Sequence, residues 1–328
     1  MSEIQSMSDF EEALRGFQVS RILLTAIELD VFTAVGDGAC VGEVAEGRGL
    51  DPRATGILLN ALVAAGALAK SGGKFRNTPL TARHLSEASP SNSRTALLHI
   101  VNIWNSWSNL TQSVRAGVPV RYREMAERGD DWTLPFIAAM HRHAMAEAPA
   151  LVTAVGVEGV TRMLDVGGGS GAFSIAFARA NPGLRAEVFD LETVVPIAQR
   201  HIAEAGLAGR ITTRTGDLRH DDLGNSCDLI LLSAICHMLG PEENQDLFLR
   251  CYRALAPRGR LVVRDFILEP HKTAPRHAAF FAVNMLVATP EGNTYTQEEY
   301  SSWLRRAGFE QIERLGPSED VIVARRSA

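Results

Sequence analysis

The segment Met163-Leu164-Asp165-Val166-Gly167-Gly168-Gly169-Ser170-Gly171-Ala172-Phe173 sets an acid and a cluster of glycines between an apolar run and an amphipathic one. Glycine lets backbone approach a ligand closely and adopts positive φ at little cost. A strand, a glycine turn and a helix N-terminus in that order form a cradle for a nucleotide-like molecule. The spacing is Gly-x-Gly-x-Gly, not the Gly-x-Gly-x-x-Gly that seats a pyrophosphate on helix N–H groups. Asp165 would repel a pyrophosphate but suits a ligand carrying an ammonium and a sulfonium. Gly167 and Gly169 are the points of closest approach.

Further acids fall where such a cradle needs them. Asp190 ends a second predicted strand, Arg185 to Asp190, roughly 20 residues past the glycines, where a carboxylate can take both hydroxyls of a ribose. Asp217, in Gly216-Asp217-Leu218 after a third strand (Arg210 to Thr215), can accept from an adenine amine while Leu218 packs on the ring. These features favour S-adenosylmethionine, with S-adenosylhomocysteine as product, over a dinucleotide. No metal is expected.

The elements that must hold these residues follow from the apolar pattern. Cys227 to Leu232 is an almost unbroken apolar run, as in a strand buried on both faces. A helix over Glu242 to Leu255 ends at Pro257 and Gly259, and a fifth strand covers Arg260 to Arg264. Alternation of strands and helices predicts an α/β fold, a doubly wound, mostly parallel sheet with its ligand at the strand carboxyl ends.

Upstream, residues 8–34 read as one helix with Phe10, Leu14, Phe17, Leu24 and Ile27 on an apolar stripe. A second helix runs from Pro52 to Leu68, with Asp51 as N-cap and Pro52 in the first helical position. A short hairpin follows around Ser71-Gly72-Gly73. This order resembles a winged helix-turn-helix. Residues 1–100 hold 9 Lys plus Arg against 11 Asp plus Glu, which opposes engagement of nucleic-acid phosphates. The expected division is this winged-helix-like domain at 1–92, a helical linker at 93–158, and a cofactor-binding domain at 159–328.

At 328 residues the chain can bury substantial cores, and a formal net charge of −5 advertises neither nucleic acid nor an anionic membrane. The first residues lack a signal-peptide pattern, and no apolar run reaches the roughly 18 residues of a membrane span. Cys40, Cys227, Cys236 and Cys251 lie far apart, so neither a zinc site nor a disulfide framework is suggested. A cytoplasmic protein with free thiols is expected.

The whole chain resembles the class I S-adenosylmethionine-dependent small-molecule O-methyltransferases. That family includes plant caffeate and flavonoid enzymes and bacterial polyketide, phenazine and carotenoid tailoring enzymes. The matching stretches are LDVGGGSGAF (164–173), VFDLETVV (188–195), GDL (216–218), LLSAICHMLGPEEN (231–244) and LAPRGRLVVRDFIL (255–268). The resemblance implies a homodimer made through the N-terminal region, and it adds Leu191 and Ser233 to the cofactor contacts.

Methyl transfer from a sulfonium needs collinear methyl, sulfur and acceptor, and a base that exposes the lone pair of a phenol of pKa near 10. The resemblance assigns that base to His237, and Asp265 is placed to fix its tautomer. Family members commonly carry glutamate at the position of Asp265. Many add a second glutamate where Thr294 stands here, with Glu291 nearby, and an aspartate where Met238 stands. Phe136, Met140 and His143 lie on one helical face and match positions that line cofactor and acceptor. Trp104, Asn284, Met285 and Thr289 are further acceptor candidates. The reading is therefore O-methylation of a small aromatic or polycyclic hydroxyl. Its alternatives are a C- or N-methyltransferase of the same fold, or a non-catalytic regulator using its winged helix on DNA.

Overall fold

The computed structural model describes residues 4–315 and 320–327. They fall into two compact units, Met1–Ile103 and Trp104–Ala328.

The larger unit is built on seven strands, numbered here in chain order: β1 (Arg162–Val166), β2 (Arg185–Asp190), β3 (Ile211–Thr215), β4 (Cys227–Ser233), β5 (Leu255–Arg264), β6 (Gln311–Leu315) and β7 (Val321–Arg325). They lie in the order β6-β7-β5-β4-β1-β2-β3. The pairs among β1 to β5 are parallel, whereas β7 runs antiparallel to both β5 and β6. The chain therefore starts at the sheet centre, winds out to β3, and returns to lay β4 against the other side of β1. That reversal opens a crevice at the carboxyl ends of β1 and β4.

Both sheet faces are covered, which explains the apolar run of β4. Ile230 and Leu232 join a core with Leu247, Phe248, Tyr300 and Leu304 from the helices Pro241–Ala254 and Gln297–Ala307. Leu229 and Leu231 face the other way, into a core with Leu151, Phe173 and Phe177 from the helices Asp130–Val155 and Ala172–Ala180. Each such side chain contributes about 1.5–3 kcal/mol on burial, so the strand ends are held by a rigid base. Local signals agree with this packing. Thr296 caps the helix Gln297–Ala307 in a reciprocal box with Glu299, and Gly308 ends it at φ 106°.

Two departures from the sequence expectations have physical causes. The helix Pro241–Ala254 stops at the residue before Leu255, and β5 begins there. Its pairing with β4 shifts register between Cys227 and Leu229, which lets Pro257-Arg258-Gly259 bulge inside the strand rather than precede it. The expected helix over 8–34 is three helices, Met7–Arg15, Phe17–Glu28 and Val31–Val35. The last break is at Asp30, whose φ of 52° is outside helical space.

The smaller unit packs Ile27, Phe32, Val44, Leu59, Leu62 and Phe75 around one core. Asp51 caps the helix Pro52–Ala64 by accepting from the Ala54 N–H at 2.7 Å, and a hairpin pairs Leu68–Ser71 with Lys74–Asn77. Among the described residues, no helix is long and apolar enough to cross a membrane.

Candidate active site

β1 delivers Asp165 and the glycine turn together. Asp165 is buried, and its Oδ2 accepts from the Ser174 hydroxyl at 2.7 Å. Its Oδ1 is buried with no hydrogen-bond partner among the described residues. Burial, offset in part by the Ser174 hydroxyl and reinforced by the charge of Asp190, pushes the Asp165 carboxyl up to about 6. Asp190, at the end of β2, accepts from the Gly169 N–H at 2.7 Å and from its neighbour Leu191 N–H at 2.8 Å. Burial pushes this carboxyl, too, up to about 6. Each carboxylate oxygen has two lone pairs, so Asp190 keeps acceptor capacity for a ligand.

The turn itself can only be glycine at its tightest points. Gly167 has φ 65°, and a Cβ there would come within 2.3 Å of Ile235 Cδ1. A Cβ on Gly168 would lie 2.8 Å from the Asp165 carboxyl carbon. Ile235 and Leu218 thus meet the glycine backbone; Ile235 belongs to the apolar core beneath it, and Leu218, partly buried, packs against that core. A buried orphan oxygen and two acids of raised pKa at neighbouring strand ends fit a ligand that brings donors and positive charge.

The other predicted contacts surround this turn. Asp217 is partly exposed, and its Oδ1 accepts from the Arg219 N–H at 2.8 Å. Leu191 and Phe136 pack on one small apolar cluster with Ile137, Val194 and Ile197, so a predicted cofactor contact and a predicted acceptor contact are neighbours. Ser233 ends β4, where its hydroxyl accepts from Arg264 Nη1 at 3.4 Å.

His237 sits in a 3₁₀ turn, Cys236–Met238, just beyond β4. The turn is fastened from below: Asn244, fully buried, donates to the carbonyls of Cys236, Leu239 and Gly240, and the Tyr295 hydroxyl donates to Leu239 O at 2.6 Å. Gly292 allows a loop to press on it, since a Cβ there would lie 2.4 Å from the His237 carbonyl oxygen. The imidazole is buried. Its Nδ1 is 2.6 Å from Asp265 Oδ1, and the His237 backbone N–H donates to Asp265 Oδ2 at 3.0 Å. Burial alone would raise the Asp265 carboxyl; the adjacent His237 and the amides of Phe266 and His237 hold it below the ordinary value. His237 Nε2 has no hydrogen-bond partner among the described residues and is not sealed from solvent.

Thr294 does not reach the imidazole; it is buried and donates to Ala278 O at 3.1 Å. Glu291 lies against Gly240. Aromatic rings take the remaining space. Phe281 and Phe266 meet His237 edge-on at 4.8 and 5.6 Å and stack on each other at 3.8 Å. Neither was read from the sequence. Phe281 lies on the helix Arg276–Ala288, three and four residues before Asn284 and Met285, so helical spacing could have found it.

Of the acceptor candidates, Asn284 accepts from Trp107 Nε1 at 2.9 Å, Met285 is buried, and Thr289 accepts from the Gly292 N–H at 3.0 Å. Phe136 and Met140 are half-buried on the helix Asp130–Val155, with Phe136 stacked on Trp132 at 4.8 Å. Trp104 is half-buried and His143 exposed. His141 is the histidine that meets the glycine turn, with Nδ1 2.8 Å from Ser170 Oγ.

A doubly wound sheet with an antiparallel final strand, an acid before a glycine turn and an acid ending the next strand define a class I methyltransferase. Residues 107–310 match the O-methyltransferase domain, and residues 11–87 match the O-methyltransferase dimerisation domain. The 3-hydroxy-5-methyl-1-naphthoate 3-O-methyltransferase of Streptomyces sahachiroi is 32% identical over 320 residues, covering 94% of this chain and 92% of that one. Acetylserotonin O-methyltransferase of Bos taurus is 31% identical, covering 99% of each. The crystal structure of human N-acetylserotonin methyltransferase in complex with SAM superposes with a TM-score of 0.83 at 27% identity, covering 100% of both chains. The chain belongs to the class I S-adenosylmethionine-dependent O-methyltransferase family, and its N-terminal unit contains that family's dimerisation domain.

Proposed function

We propose that this enzyme methylates a hydroxyl on a small aromatic or polycyclic metabolite, with His237 as general base. When bound, S-adenosylmethionine supplies a methyl group activated on a sulfonium. The chain's own residues do the rest. Asp165, the glycine turn at Gly167 and Gly169, Asp190 with Leu191, Asp217 with Leu218, and Ser233 hold the donor at the carboxyl ends of β1 to β4. The stacked pair Phe266 and Phe281 offers an apolar wall to a flat ring. His237 Nε2 accepts the hydroxyl proton, and the oxygen is left with a free lone pair for the methyl carbon. Asp265 keeps Nδ1 protonated, directs Nε2 outward and stabilises the imidazolium that forms.

The observation that carries the reading is the buried His237–Asp265 pair, whose free nitrogen opens beside two aromatic rings. Met140, His143, Trp104, Asn284, Met285 and Thr289 are proposed to shape the acceptor pocket. The naphthoate named for the Streptomyces relative and the acetylserotonin named for the Bos taurus relative support a fused aromatic acceptor. The test uses a panel of hydroxynaphthoates with methyl-labelled S-adenosylmethionine and product NMR. A labelled methoxy signal is expected; label on carbon, or no transfer to any member, overturns the reading.

A homodimer through the N-terminal unit is part of the proposal. Met7, Phe10, Leu14 and Phe17 are 45–68% exposed on the first two helices, an apolar surface suited to a second copy.

A further inference from the structure

We propose that Arg264 is the cation that receives the carboxylate at the amino-acid end of the cofactor. The inference rests on the reading that the glycine turn seats S-adenosylmethionine. That ligand is zwitterionic at its methionine end. Asp165 suits its ammonium and sulfonium, but like Asp190 it repels the carboxylate, which therefore needs a cation of its own.

Two other guanidiniums beyond the strand ends, Arg219 and Arg250, already have partners. Arg219 pairs with Glu243 at 3.2 Å and with Glu124 at 3.4 Å. Arg250 donates to the carbonyls of Leu218, Arg219 and Asp221. Arg264 differs in place. It is the last residue of β5 and stands in register with Ser233, the last residue of β4. The alternation of β5 turns it away from Asp265 and towards the face that carries the glycine turn's helix. Its guanidinium carbon lies 5.7 Å from the ring of Phe173, the second residue of that helix. The group thus bridges the β4 tip and the first turn after the glycines.

Nη1 donates to Ser233 and Nη2 to Glu147, while no acceptor among the described residues takes the Nε–H. A guanidinium offers five N–H donors in a planar fork, so donors remain for a carboxylate. Glu147 would hold the head in place and share its charge.

Calorimetry separates this role from general support of the fold. The probes are S-adenosylhomocysteine and S-adenosyl-3-thiopropylamine, which lacks only the carboxylate. Arg264→Gln should weaken S-adenosylhomocysteine roughly 10–100-fold, as expected for a charge-assisted pair, and change the decarboxylated probe less than about twofold. Arg264→Lys, which keeps the charge, should fall between wild type and Arg264→Gln for the first probe. Equal weakening of both probes, or of neither, in either variant overturns the proposal. Asp190→Ala should weaken both probes alike. If it weakens neither, the seat itself is wrongly placed, whatever Arg264 does.

Discussion

Asp265 grips His237 with both carboxylate oxygens: Oδ1 lies 2.6 Å from the imidazole Nδ1, and Oδ2 accepts the His237 backbone N–H at 3.0 Å. The aspartate is one methylene shorter than the glutamate common at this position in the resembled family. The backbone contact makes up for the shorter reach: the 3₁₀ turn carries the histidine's own main chain to the carboxylate.

Replacing Asp265 by Asn would keep the shape and remove the charge. We expect turnover to fall roughly 10²–10⁴-fold, because the tautomer and the imidazolium both lose support. Affinity for S-adenosylhomocysteine should change little. Steady-state kinetics and calorimetry check the two halves, and unchanged turnover would remove Asp265 from the mechanism.

Asp165→Asn should stabilise the ligand-free protein at neutral pH. A carboxyl raised in the folded state from 3.8 to about 6 binds more protons folded than unfolded between those values, so stability falls as pH rises through that window. Above pH 6 the full cost, on the order of 3 kcal/mol, is present. Urea unfolding at pH 7.5 and pH 5 is the measurement. A gain larger at pH 7.5 is expected, and a loss at pH 7.5 would contradict it.

Legibility in the sequence followed how local each signal was. Asp165, Asp190 and Asp217 could be placed because an apolar strand fixes where its own end falls; the expected bounds of β2 match to the residue, and those of β4 to within one. The start of β5 could not be, because a bulge depends on the partner strand and not on Pro257 and Gly259 alone. Phe266 and Phe281 stayed hidden as site residues for a related reason: an aromatic side chain in a strand or helix is usually core, and only the turn that brings His237 to them sets them apart. His141, which meets the glycine turn through Ser170, lies off the face shared by Phe136, Met140 and His143, so the periodicity that singled out those three passed over it.

Cofactor affinity should depend on the same buried acids. As pH falls through about 6, Asp165 and Asp190 take up protons and lose attraction for a cationic or hydrogen-bond-donating ligand. Calorimetry with S-adenosylhomocysteine should show affinity roughly tenfold or more weaker at pH 5 than at pH 7.5. A flat profile would place the ligand elsewhere.

The exposed apolar residues of the first two helices predict an association defect. Phe10→Glu combined with Phe17→Glu puts charge into a surface that would be buried in a dimer, while both positions are exposed within one chain. Sedimentation velocity should show the variant as monomer at micromolar concentrations where wild type is a dimer. A monomeric wild type, or a dimeric variant, would refute this surface as the interface.

The most direct trial of the account is transfer of labelled methyl to hydroxynaphthoates by wild type and by His237→Gln, with S-adenosylhomocysteine affinity measured in parallel. We predict a loss of roughly 10²–10⁴-fold in turnover with affinity within about twofold of wild type. Full turnover in His237→Gln would contradict it.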